Sequence, residues 1–268
     1  MKDIFLFQQG TTPLLVSIPH CGLHVPEHIE RRLTPEARIL ADTDWHVDRL
    51  YDFAGAMGAS VIAATHSRYV IDLNRPPDGA VLYPGADNTE LCPTTSFARE
   101  PLYGPGDDPD GGDIEHRLET YWRPYHRKLA AEVGRLRARH GVALLFDAHS
   151  IRSEVPRFFD GKLTDFNLGT AGGGSADGTL AKRLLAVCAN ADAYGSVLNG
   201  RFSGGYITRR HGQPENAVHA VQLELSQATY MDEEPPFDYR PDLADMVRPV
   251  LKNLLAEMLA WLETAKHC

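Results

Sequence analysis

Cysteine is scarce: four in 268 residues (Cys21, Cys92, Cys188 and Cys268), with no CxxC and no close pair. A disulfide framework is not expected, and a reducing cytoplasm is the simplest compartment. No run approaches the roughly 18 apolar residues of a membrane span. The opening MKDIFLFQQGTTPLL has an apolar run only at 4–7, too short for the core of a signal peptide, so none is expected. Positive charge is in deficit: 27 Lys and Arg against 36 Asp and Glu give a formal net charge of −9. Nucleic acid and anionic membrane are therefore not the expected partners, although a few arginines in a cleft can still attract an anionic substrate. GxGxxG and GxxxxGK[ST] are missing, and GTAGGGSADG lacks the lysine, so no nucleotide cofactor is indicated. HExxH and GxSxG are missing as well.

What is present is ordinary for a soluble globular protein: 43% apolar and 24% charged residues. The chain is long enough to bury about three quarters of its unfolded surface. Strand-like runs rich in Val, Ile and Leu fall at 14–18, 60–64, 69–73, 142–146 and 217–225. Helical stretches separate them. Thr34-Pro35-Glu36 has the form of a helix start leading towards Met57, 113–140 carries helical spacing up to Gly141, and 180–189 is a shorter candidate. The last helix, 242–265, places Leu243, Met246, Val250, Leu254, Met258 and Leu262 on one stripe. Alternating strands and helices predict a three-layer α/β/α sandwich. We read 1–268 as a single catalytic domain. Segments 74–112 and 151–178, rich in Pro, Gly and Asp, are too long for plain connections and are read as walls of an active site.

Ligands in such sheets bind beyond the carboxyl ends of the strands. LLVSIP leads to His20, YVIDLNR to Asp72, Asn74 and Arg75, VALLFDAHS to Asp147, His149 and Ser150, and VQLELSQ carries Glu224. His20 and His149 can share a divalent ion, with a third, acidic ligand and an open position for water. Acidic candidates are Asp42, Asp44 and Asp48 in ADTDWHVDRL; Asp44 and Asp48, one turn apart if helical, would share a face, and His24 and His46 are rival ligands. Capping or core packing also accounts for a histidine after an apolar run. Glu224 sits between Leu223 and Leu225, on a face shared with Gln222 and Ser226. It is either a general base or part of a wet strand face. Arg68, Arg75, Arg209 and Arg210 can bind carboxylates through their planar forks, and SGGYITRRHG has the character of a substrate loop. Ser150 and Cys21 are the competing nucleophiles.

The ordered set SIPHCG, DTDWHVDRLY, SRYVIDLNRP, FDAHSIRS, FNLGT, GGYITRRHG and LELSQATYM, spanning 13–231, resembles the N-formylglutamate amidohydrolase family. That family is similar to the zinc carboxypeptidases, a phosphorylase/hydrolase-like fold, which implies a mixed sheet of about eight strands between helices. Carboxypeptidases show a first histidine, an Asp-x-Asn-Arg motif, a His-Ser pair and a Glu-Leu pair; this chain has His20, 72–75, His149-Ser150 and Glu224-Leu225 in that order. It departs at Leu23, where a carboxypeptidase supplies its acidic ligand. Asp44 is the replacement we choose, with Asp42, His24 and His46 as alternatives. The resemblance implies a small-molecule N-acyl amino acid substrate, N-formyl-L-glutamate, and one divalent ion, zinc. His20, Asp44 and His149 are its expected ligands and Glu224 the expected base. Asn74 and Arg75 would grip the α-carboxylate, Arg209 or Arg210 the side-chain carboxylate, with Arg68 and Tyr206 also in the substrate-binding set.

Overall fold

Runs 143–151 and 218–226 are buried at every position, so the sheet they belong to needs cover on both faces. The computed structural model describes residues 3–265, which leaves Cys268 outside the described residues. Its strands are β1 (Phe5–Gln8), β2 (Leu14–Ile18), β3 (Ser60–Ala64), β4 (Ala143–Ile151), β5 (Phe166–Gly169), β6 (Ser196–Leu198) and β7 (Val218–Ser226). They make one sheet in the order β1-β3-β2-β4-β7-β5-β6. β3, β2, β4 and β7 are parallel neighbours; β1 joins β3 and β5 joins β7 antiparallel, and β6 runs parallel to β5. The mixed α/β architecture is the one expected, with seven strands among the described residues where the resemblance implied about eight.

Helices α1 (Glu27–Glu30), α2 (Val47–Leu50), α3 (Gly111–Arg117), α4 (Arg123–His140), α5 (Gly178–Ala189), α6 (Tyr206–His211) and α7 (Pro241–Ala265) surround it. Strand alternation divides the core. Leu15, Ile62 and Leu145 pack with Leu129 and Leu136 of α4; Val16, Phe146 and Leu223 pack with Leu184 of α5 and Leu254 of α7. Met246, expected on the α7 stripe, is exposed, and Val247 is buried in its place. A period of 3.6 carries Val247 on to Leu251 and Leu254. The helix expected over 113–140 is present, with a π turn at Leu118–Trp122 joining α3 to α4 and Gly141 closing it at φ 78°. Among the described residues no helix is long and apolar enough to cross a membrane.

Two further expectations fail. The helix predicted from Thr34 towards Met57 is broken into 3-10 turns at Ala37–Ile39 and Gly55–Met57 and the short α2, because Leu40 (φ 57°) and His46 (φ 60°) adopt left-handed backbone. Asp44 therefore precedes α2 and shares no helical face with Asp48. The run 69–73 is apolar and buried, yet it is not a strand. Its carbonyls are served by side chains in place of a ladder: Tyr69 O accepts from the Tyr103 hydroxyl (3.3 Å), Val70 O from Arg117 (3.0 Å), and Leu73 O pairs with His126 Nε2 (2.8 Å). The Asp72 N–H donates to Leu91 O (2.7 Å). Burial made this segment look like a strand, and side-chain donors from α3, α4 and Tyr103 allow it to be irregular.

Arg117 is wholly buried and also donates to Asp113 (2.8 and 3.1 Å) and to the Tyr103 hydroxyl (2.9 Å). R117M should lower unfolding free energy by about 1–3 kcal/mol, since it strands the buried Val70 carbonyl while Asp113 keeps Arg32 (2.6 Å). Denaturant unfolding measures this, and a loss below about 1 kcal/mol would mean that Val70 O finds another donor. Burial also pushes the His126 imidazole down to about 3, against about 6.5 in the unfolded chain. The unfolded state then binds the extra proton between those values, so stability falls as pH drops from about 6.5 towards 3. H126Q should flatten that limb when urea midpoints are compared at neutral and acidic pH.

Candidate functional site

Central strands end together and carry polar groups to one edge. The turn after β2 presents His20, β4 presents Asp147 and His149, and β7 presents Gln222 and Glu224. Parallel register sets His149 beside Glu224 and Asp147 beside Gln222. Asp44 reaches the same point from the irregular segment: its N–H donates to His20 O (3.1 Å), and the Ser150 N–H donates to its Oδ2 (3.2 Å).

Each imidazole is turned by a carboxylate. His20 Nε2 lies 2.7 Å from Asp72 Oδ1, and His149 Nε2 lies 2.9 Å from Asp147 Oδ2. A carboxylate only accepts, so each Nε2 carries the proton and each Nδ1 keeps its lone pair. The two Nδ1 atoms face one another at 3.1 Å, with Asp44 Oδ2 at 3.1 Å from His149 Nδ1 and 3.6 Å from His20 Nδ1. Three buried acceptors aimed at one point repel unless a proton or cation joins them. Asp44 Oδ1 is buried with no hydrogen-bond partner. Two imidazole nitrogens, one carboxylate and an adjoining cavity fit a divalent ion with an open coordination position. Arg68 also touches His20 Nδ1 and lies 3.7 Å from Asp44 Oδ1.

Electrostatics follow the geometry. Burial alone would raise the Asp44 pKa, but Arg68, then His20 and His149, hold it well below the carboxylate range. Burial would lower His149, yet Asp147 and then Asp44 raise it well above the imidazole range. Glu224 is lifted to about 8, chiefly by desolvation. The wet-face reading of β7 is thereby overturned: Glu224 is only 8% exposed and its face is closed.

Asn74 ties the site together. Its Nδ2 lies 2.9 Å from His149 Nε2 and 3.4 Å from Asp147 Oδ2, while its Oδ1 accepts from the Ile207 N–H (2.8 Å). The carboxamide lies directly against Gly205, where an added Cβ would come within 2.3 Å of Asn74 Nδ2. Arg75 donates to Thr89 O (3.0 Å), Thr89 Oγ1 (2.7 Å) and Asn74 O (3.2 Å), and lines the cavity with Arg68, Asn74 and Glu224. A larger cavity of 520 Å³ on the other side of Arg75 is lined mainly by loop residues such as Pro76, Val81 and Leu91 and holds none of the His20 cluster.

Other candidates lie elsewhere. Arg209 donates to Gly204 O (2.8 Å) outside the cavity lining. Arg210 borders a separate cleft against α4, and Tyr206 packs on Trp122 and His126. Among rival ligands, Asp42 accepts from the Phe97 N–H (2.8 Å), His46 bonds Phe237 O (2.7 Å), and His24 packs on His66 (4.8 Å). Ser150 Oγ is held by the Tyr230 hydroxyl (2.7 Å). Burial, then Asp48 and Asp44, pushes the Cys21 thiol pKa up, the reverse of an activated thiolate. Sequence reasoning assigned no role to Asp72, Asp147, Gln222, Tyr83 or Arg201. Asp147 was visible in principle, two residues before His149 on one strand face. Tyr83 and Arg201 come from irregular segments with no pattern to mark them.

The family model described as N-formylglutamate amidohydrolase matches residues 12–231. The N-formylglutamate deformylase of Pseudomonas putida is 56% identical over 97% of both chains, and that of Pseudomonas aeruginosa is 55% identical over 97% of this chain and 98% of its own. The crystal structure of an N-formylglutamate amidohydrolase from Ralstonia eutropha JMP134 shares the fold at a TM-score of 0.83 and 22% identity, covering 97% of this chain and 98% of that one.

If Asp147 sets the His149 tautomer, D147N should weaken divalent-ion affinity by about 10- to 100-fold with the fold intact. Calorimetric zinc titration of both proteins measures it. Equal affinities would show that His149 needs no partner to face the site.

Proposed function

Since the chain belongs to the N-formylglutamate amidohydrolase family, we propose that it hydrolyses N-formyl-L-glutamate to formate and L-glutamate. The observation that carries the reading is Glu224, a buried carboxyl in register with His149 at the wall of a cavity lined also by His20 and His149, the two imidazoles that meet Asp44. His20 Nδ1, His149 Nδ1 and Asp44 would hold one divalent ion, with zinc favoured by the two-imidazole, one-carboxylate set. Such an ion, when bound, supplies Lewis acidity and brings the pKa of its water towards about 7.

The chain's own groups do the rest. Arg75, beside Asn74, takes the α-carboxylate: three of its N–H groups are committed to Thr89 and Asn74, and of the five that a guanidinium carries two remain. Glu224 accepts a proton from the water that attacks the formyl carbon. Arg68, lining the same cavity, faces the negative charge that grows on the formyl oxygen. As the C–N bond breaks, Glu224 returns the proton to the amine nitrogen, so formate and glutamate leave with atoms balanced. A carboxyl that burial lifts to about 8 needs only modest opposing positive charge to gain and lose protons near neutrality. The proposal includes a cytoplasmic location, where the free thiols of Cys21, Cys92 and Cys188 stay reduced.

Metal content and formate release, with and without a chelator, test this on the purified protein. About one ion per chain and chelator-sensitive release are expected; turnover surviving verified metal removal would reject the His20–Asp44–His149 site. E224Q should keep its ion and lose about 10²- to 10⁴-fold in kcat. Near-normal turnover in E224Q would remove Glu224 as the base.

A further inference from the structure

Three guanidiniums line the cavity, and two are engaged. Arg68 is held between His20, Asp44 and Asp72, and Arg75 is pinned to Thr89. The third, Arg201, comes from the turn after β6. Its Nε donates to Phe158 O (2.6 Å), but neither terminal nitrogen has an acceptor and no carboxylate pairs with it among the described residues. Asp87, on the same cavity wall, is taken by Arg99 (2.7 Å) and Arg157 (3.1 Å). The rings of Tyr83, Phe158 and Phe202 lie 5.3, 5.6 and 5.3 Å from its Cζ and set the plane of the guanidinium. Burial, and the neighbouring Arg75, act against its charge. Arg201 is thus a preorganised fork with a desolvation cost that an entering carboxylate would offset.

The substrate class supplies two carboxylates. Asn74 Nδ2 donates to Asp147 Oδ2 (3.4 Å), the carboxylate that turns His149, so Arg75 sits at the reacting end and suits the carboxylate on the carbon that bears the amide. The aromatic wall around Arg201 is left for the distal one. We propose that Arg201 binds the side-chain carboxylate of the substrate and is the residue that distinguishes an acidic acyl-amino acid from its neutral amide. This rests on the deformylase reading above.

The experiment compares N-formyl-L-glutamate with N-formyl-L-glutamine on the metal-loaded wild type, R201Q and R201K. Calorimetric binding of L-glutamate and L-glutamine to the same proteins runs in parallel. In R201Q the ratio of kcat/KM for the acid over the amide should fall about 10- to 150-fold, mainly through KM, as loss of a charge-assisted fork predicts. R201K, which keeps charge without the fork, should fall between. An unchanged ratio, or equal losses on both substrates, overturns the assignment, the latter by showing a structural or α-carboxylate role. Should the wild type release no formate from either compound, the deformylase reading fails and the binding arm decides alone. A wild-type preference for glutamate that R201Q erases then upholds Arg201; a preference that persists, or none at all, overturns it.

Discussion

Two hydrogen bonds, from His20 to Asp72 and from His149 to Asp147, are the constraint on which the site depends. Each fixes a ring's tautomer and its rotation together, and the pair turns two lone pairs onto the same point as Asp44. Neither carboxylate would be tolerated at this depth without such a partner, because a buried charge is expensive unless paired and hydrogen-bonded. Arg68 balances the remainder, within ion-pair distance of both Asp44 and Asp72. What looks like a ligand set is therefore the visible part of a larger charge network, and the network is what the parallel β2–β4–β7 ends assemble.

The legible part of this arrangement was the part carried on regular strands. His149 and Glu224 follow from apolar runs with period-2 alternation, and their register neighbours on β4 and β7 follow once those strands pair. His20 was legible as a polar residue just past a run. With Leu23 in place of the expected acid, sequence favours Asp44 but leaves Asp42, His24 and His46 open, and the helical face invoked for Asp44 does not exist. It arrives instead through left-handed backbone at Leu40 and His46, which no periodicity reveals. The segment 69–73 misled for a similar reason: burial was right and hydrogen bonding was not, since its partners are side chains distant in sequence. Of the four arginines singled out by sequence, Arg68 and Arg75 line the cavity and Arg209 and Arg210 do not, while Arg201, isolated in sequence, joins them from a loop.

An acidic chain that takes up a dianion needs its cations concentrated. Here Arg68, Arg75 and Arg201 line one small cavity. Arg157 links the two long segments from outside it, bonding Asp87 (3.1 Å), Thr95 Oγ1 (2.9 Å) and Ser96 O (2.7 Å). Walls built from irregular backbone thus gain stiffness from guanidinium forks. The apolar cluster of Phe97, Ile151, Val155, Leu163 and Phe202 stands apart from the two main cores and backs that wall.

The side-chain service of 69–73 has one more consequence. Because Arg117 and His126 hold its carbonyls, the stretch that carries Asp72 and Asn74 has no ladder of its own to melt independently of α3 and α4. Its amides should exchange with solvent in the same cooperative unit as those helices, not as a surface loop. A lesion on the outer layer, far from any reacting atom, would then register first as a mis-aimed imidazole at His20.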